Sequence, residues 1–337
     1  MATVARFYSS TDAGAPQLSG QVGSLLVVLD AVLVDGYGVG EAFKPGAGWT
    51  RHLTAAGKRA YRNDPYAGSG FVLEVDDSAS AGTARYARAR GYSALRSFGD
   101  GDDATPSPGA RPAGSIIAKS SSLSATASRW VAIADSRCIY LFTNVNPALL
   151  VDQRQAYFFG DFTSYKPGDT MAWCISHSGL VDYLGTEDFD GFVFSTQNEA
   201  TSIDVNRPAC YLPRTVNSPV QSAPAFLVGG MRYTSFHAWN SDGARQSTYP
   251  DAVTGGLLYT GVQIFEGSGR PRGVLPGIAV PYHLRPFVDL SVQAAPFEFR
   301  GASQIVAVGY APNYYSSTLT GDPYRGQLLF SLGGGWW

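Results

Sequence analysis

Lysine and glutamate are nearly missing from this sequence: of 25 basic residues only four are lysine, and of 27 acidic residues only six are glutamate. Exposed helices use these two residues most, so their scarcity excludes a helical bundle or any fold with many solvent-facing helices. Charged side chains reach only 15%, against about 25% in an average soluble domain, which leaves wide neutral surface. Cysteine is also scarce. Cys138, Cys174 and Cys210 are an odd set that argues against a disulfide framework and for reduced, buried thiols. The few histidines, His52, His237 and His283 among them, show no ligand spacing, so no metal and no cofactor is expected; His283 is read as a hydrogen-bonded turn residue. The longest apolar run, 25–29, is far too short to cross a bilayer, and the first residues lack a charged-then-apolar leader, so no membrane anchor is expected.

Charge of one sign is missing as well. The net charge is −2, and the densest basic set is Arg85, Arg88, Arg90 and Arg96. That is too sparse to track a phosphate backbone, so nucleic acid is not an expected partner. There is no Gly-x-Ser-x-Gly elbow, no Walker phosphate loop and no His-Glu-x-x-His. Gly36-Tyr-Gly-Val-Gly is half of a dinucleotide fingerprint, but it follows a helical stretch where a strand is required. Asp100-Gly-Asp-Asp begins like a calcium loop, yet its twelfth position is Arg111 where a bidentate glutamate is needed.

What is plentiful points to β structure. There are 39 glycines and 20 prolines for turns, and 45% apolar residues for a core. Arginine and aromatic residues, which buried interfaces favour, stand where lysine and glutamate would otherwise be. The chain therefore reads as a mainly β protein that assembles. Its centre is 130–169: strands over 130–134 and 138–142 flank the corner Asp135-Ser136-Arg137, and 156–162 is aromatic on both parities, as a strand buried on both faces and kinked at Gly160 would be.

Around this centre the pattern predicts two β-rich lobes, sandwich- or barrel-like. Residues 1–205 form the first, with one amphipathic helix over about 22–34, capped by Ser19 or Ser24 and ended by Gly36. The proline-rich 206–224 reads as a connector, and 225–337 as the second lobe with a Trp-Trp tail. Residues 99–114 read as a long polar loop that a partner could order.

Three groups are candidate contact sites: Arg85, Arg88 and Arg90 on an alternating strand, Asp100, Asp102 and Asp103 in the polar loop, and Trp336 with Trp337 at the end. Deleting the two tryptophans is expected to weaken assembly and leave the fold intact. Chemistry has weaker candidates. Glu187, Asp188 and Asp190 could furnish a carboxylate pair for a glycan-degrading enzyme. Cys174 and His177 fall on opposite faces of a strand. Tyr310, Tyr314, Tyr315 and Tyr324, near Asn313 and Asp322, could stack on a host-surface glycan.

Four segments carry a likeness to a known family: Tyr8-Ser-Ser-Thr-Asp-Ala-Gly-Ala-Pro with Leu18-Ser-Gly and Gly23-Ser-Leu; Leu29-Asp-Ala-Val-Leu-Val-Asp-Gly-Tyr-Gly with Ala47-Gly-Trp-Thr; Phe159-Gly-Asp-Phe-Thr-Ser-Tyr-Lys-Pro-Gly-Asp; and Arg272-Gly-Val-Leu-Pro-Gly-Ile-Ala-Val-Pro-Tyr-His. Taken in order they resemble tailed-bacteriophage virion structural proteins. The resemblance implies a place in the virion, other phage virion proteins as partners, and no catalytic residue. Together with the composition, the expectation is a non-enzymatic particle component that docks noncovalently as a homo-oligomer. A tail, baseplate or neck periphery is favoured over capsid decoration, with a glycan- or receptor-binding module as the alternative.

Overall fold

The computed structural model describes residues 4–78, 85–144, 155–177, 210–216, 221–229, 249–267, 269–283, 286–299, 301–310, 326–334 and 336–337. Among them the chain is mainly β. A five-stranded sheet joins β2 (Thr50–Ala55), β3 (Lys58–Arg62), β4 (Val72–Asp76), β5 (Tyr86–Tyr92) and β8 (Ser115–Ala118) in that order, and β6 (Ala94–Ser97) pairs with β7 (Asp100–Asp102) in a small hairpin. The large sheet has thirteen strands. Its path starts with β1 (Arg6–Ser9), β9 (Arg129–Ala134), β10 (Cys138–Asn144), β11 (Gln155–Asp161), β13 (Trp173–His177) and β14 (Cys210–Arg214). It continues with β15 (Gln221–Gly229), β16 (Tyr259–Glu266), β17 (Pro271–Pro281), β20 (Gly326–Leu332), β19 (Ala302–Tyr310) and β18 (Val292–Phe299), while the short β12 (Thr163–Ser164) bonds to β17.

The side-chain period of two explains the layers. In β9, β10, β11 and β13, Trp130, Ala132, Leu141, Phe159 and Trp173 point to one side and pack with the helix and the five-stranded sheet. Their neighbours Val131, Ile133, Tyr140, Phe142 and Phe158 point to the other and meet Ile264, Leu275, Ile278 and Phe330 of the same sheet's later strands. The sheet therefore curls back over itself. Tyr140 Oη donates to Pro276 O at 2.6 Å, the Tyr140 and Phe330 rings lie 4.9 Å apart, and Gly333 N donates to Ala5 O at 3.1 Å, which joins the two ends of the chain. With both faces covered, β10 and β11 are buried at every position, which is why they read as continuous apolar text. Gly160 is kinked as expected, at φ 123°, and a Cβ there would stand 2.4 Å from Arg137 O.

The helix is shorter and less regular than its pattern. It runs as α1 (Ser24–Leu29) and continues as a π-helical turn, Asp30–Asp35, ended at Gly36 with φ 78°. Neither serine caps it. Ser24 Oγ instead donates to Ser19 O, and the free amide of Leu25 donates to Asp77 Oδ2 at 2.9 Å, a cap supplied from the end of β4. Asp77 is itself paired at 2.5 Å with Lys119, which also reaches Gln21 O. Both partners are buried, and burial pushes the Asp77 carboxyl up and the Lys119 ammonium down.

Two further expectations are corrected. Within the proline-rich 206–224, the described residues 210–214 form β14 and 221–224 begin β15, with Cys210 and Leu212 fully buried. The polar 99–114 is not wholly a loop either, because its first residues form β7. At β14, burial against the neighbouring strands overrides local turn composition, whereas β7 is an exposed pairing with β6.

Candidate assembly interface

The arginine cluster divides. Arg88 and Arg90 lie in β5 on the face with Tyr86 and Tyr92, while Ala87 and Ala89 face the core. Arg85 precedes the strand, and its Nη1 reaches Ser121 O at 3.4 Å. Across the ladder Arg88 stands opposite Asp76 and Arg90 opposite Glu74. Lys58, one strand further, binds Asp76 at 2.8 Å. Desolvation alone would raise the Asp76 carboxyl, but Lys58 and Ser78 outweigh it and hold the group below the usual carboxylate range. Arg88 stacks over the Tyr86 ring at 5.6 Å, and Arg90 Nη2 donates to Arg111 O at 2.8 Å and Pro112 O at 2.9 Å. The face is a half-buried charge ladder, already pinned within the chain.

The three aspartates divide as well. Asp100 and Asp102 flank Arg96 at 3.0 Å each, in an exposed triad on the β6–β7 hairpin. Leu95 of this hairpin packs with Ala60, Val72 and Tyr92, so it lies against the outer face of the five-stranded sheet. Asp103 turns inward with φ 57° and is 5% exposed. It accepts from Ser93 Oγ at 2.6 Å and from Arg214 Nε and Nη2 at 2.9 and 2.6 Å. It is an internal clamp between the hairpin and β14.

The tryptophans separate most sharply. Trp336 belongs to the core: it is 6% exposed, donates from Nε1 to Ser331 O at 2.8 Å, and sits against Gly277, where a Cβ would come within 2.1 Å of its ring. Trp337 is 40% exposed. Its Nε1 donates to Asp135 Oδ2 at 2.6 Å and its ring lies 3.5 Å from the Arg137 guanidinium. Only Trp337 of the pair is presented at the surface.

Trp337 rests on a polar node that the sequence did not single out as a site. Asp135 Oδ1 accepts the amides of Arg137 and Cys138, closing the expected β9–β10 corner. Asp161, 1% exposed, accepts from Asn63 Nδ2 at 3.1 Å, Ser69 N at 2.9 Å, Ser69 Oγ at 2.5 Å and Arg137 Nε at 3.3 Å. Burial pushes its carboxyl up, against the opposing pull of Ser69 and Arg137. The node ties the β3–β4 loop, the central hairpin, β11 and the chain end together. Its only sequence signal is Gly160-Asp161, a glycine that lets an acid approach the Arg137 backbone.

Cys138, Cys174 and Cys210 are free and buried, and burial pushes the Cys138 and Cys174 thiols well up. His283 is hydrogen-bonded as expected, accepting from Leu258 N at 2.7 Å, in a bridge rather than a turn. Glu187, Asp188, Asp190, His237, Asn313, Tyr314, Tyr315, Asp322 and Tyr324, and the side chains of His177 and Tyr310, lie outside the described residues. No helix among the described residues is long and apolar enough to cross a membrane. No model of a known protein family matches the chain, and no curated protein does.

Proposed function

We propose that this chain is a non-enzymatic structural component of a tailed-bacteriophage virion that docks noncovalently onto other particle proteins, at the periphery of the tail, baseplate or neck. The observation that carries the reading is the ordered run of segments resembling virion structural proteins, which falls on connected parts of the fold. Tyr37 donates to Asp12 at 2.5 Å, and Thr163 pairs with Val274 in the β12–β17 ladder. The buried ionisable groups described above support the same reading. Asp77, Asp103 and Asp161 hold elements in place, and the raised Cys138 and Cys174 thiols are poor nucleophiles. Docking uses the neutral surface and exposed polar edges such as the Arg96 triad and Trp337.

Peptide mass spectrometry of gradient-purified particles, before and after a high-salt wash, tests this. The chain is expected in both at a fixed ratio to the major particle proteins. Its absence from purified particles overturns the proposal.

A further inference from the structure

A cavity of about 270 Å³ lies where two of the resembling segments meet, between the turn after β12, the end of β14 and the start of β17. Serine and glycine bring them close: Ser164 stands opposite Gly273, where a Cβ would be 2.4 Å from Thr163 O. Lys166, Arg214 and Arg272 line the cavity, against a single acid in its wall, Asp169.

The cations are held in unequal ways. Of the four lysines, Lys44, Lys58 and Lys119 each pair with an aspartate. Lys166 has no carboxylate partner among the described residues and donates only to Val216 O, at 3.1 Å. Arg214 gives Nε and Nη2 to one oxygen of Asp103 behind the wall, and its Nη1 makes no hydrogen bond among the described residues. Arg272 is the most unusual: it is 2% exposed, with Nη1 2.6 Å from Asp169 and Nε 3.5 Å from Glu266, yet neither nitrogen has an aligned hydrogen bond. Asp169 and Glu266 balance the charge of this guanidinium, and the poor alignment of Nε and Nη1 leaves hydrogen-bonding capacity for a further acceptor.

We propose that this cavity binds a small oxyanion, either free or as the acidic group of a single sugar. Guanidinium forks match planar and tetrahedral oxyanions, and an unpaired ammonium adds a point charge beside them. The volume admits one such group with at most a sugar-sized body.

Calorimetric titration of the full chain at low salt with inorganic phosphate, with sodium glucuronate and with neutral glucose tests the site. Saturable single-site binding of at least one oxyanion is expected, with none of glucose. Tighter phosphate assigns a free anion, and tighter glucuronate an acidic sugar. Lys166→Glu, at an exposed side chain that leaves the fold intact by thermal melting, should weaken the binding about tenfold or more, equivalent to about 1.4 kcal/mol. Arg272→Lys keeps the charge, removes the fork and should weaken binding as well. No saturable heat with either oxyanion, or unchanged affinity in Lys166→Glu, overturns the proposal.

Discussion

Trp336 and Trp337 are chemically identical neighbours with opposite duties, and the difference is decided by what each ring meets. Trp336 fills the space over Gly277 and packs edge-on to Tyr140 at 5.8 Å. Trp336→Ala should therefore destabilise the chain by about 3–5 kcal/mol, as large core truncations do, measured by denaturant unfolding. Trp337→Ala should cost much less, since its ring is partly in water. Equal stability of wild type and Trp336→Ala would contradict the core assignment, and deletion of both residues is no longer a clean test of assembly. Buried phenols supply a second test at this scale. Burial is the main cause that pushes Tyr8 up to about 12, and burial followed by Glu74 pushes Tyr92 up to about 12, from the usual 10.0. A raised folded-state value means the folded chain keeps its proton longer than the unfolded one. The stability these groups contribute is thus complete below about pH 10 and is lost as pH rises through about 12. Alkaline titration followed by phenolate absorbance should show a late group of tyrosines ionising together with unfolding; tyrosines that all ionise near the usual value in a folded chain would refute it. At this scale the Asp135 corner was legible, because its acceptors and donors are near neighbours in sequence. Asp161 was not. Its partners Asn63 and Ser69 are far away along the chain, and no local pattern brings them together.

Elements show the same division between local and long-range causes. Continuous apolar text marked β9, β10 and β11 close to their observed limits, and alternation marked β5. β14 was missed because Pro213 and its polar flanks look like a connector, and only pairing with β13 and β15 makes it a strand. The α1 cap was misassigned for a similar reason: the acceptor comes from Asp77, beyond the sheet strands that follow the helix. Gly91 tests how the elements stack. It lies in β5 where the five-stranded sheet approaches the large one, and a Cβ would stand 2.5 Å from Phe71, 2.8 Å from Trp173 and 3.1 Å from Ile175. Gly91→Ala should destabilise by about 1–3 kcal/mol through overpacking, read as a lowered denaturant midpoint. An unchanged midpoint would mean the two sheets are not in this contact.

For the whole molecule, one sheet carries a second sheet and a helix on one face and its own later strands on the other, among the described residues. That arrangement explains the composition: a chain with both faces of its central strands covered needs few lysines and glutamates, and its outer surface is free to be neutral. Fold class was legible because it follows from composition and periodicity. The place of contact was less so, since Arg88, Arg90 and Asp103 proved to be engaged within the chain and Asp100, Asp102 and Trp337 remain at the surface. The proposed virion role is tested most directly by electron cryo-microscopy of purified tailed-phage particles produced from the genome that carries this sequence. The account predicts repeated, symmetric density at the tail, baseplate or neck periphery into which the layered β body fits with Trp337 and the β6–β7 hairpin near neighbouring proteins. Particles that carry no such density, with the chain recovered only outside them, would contradict it.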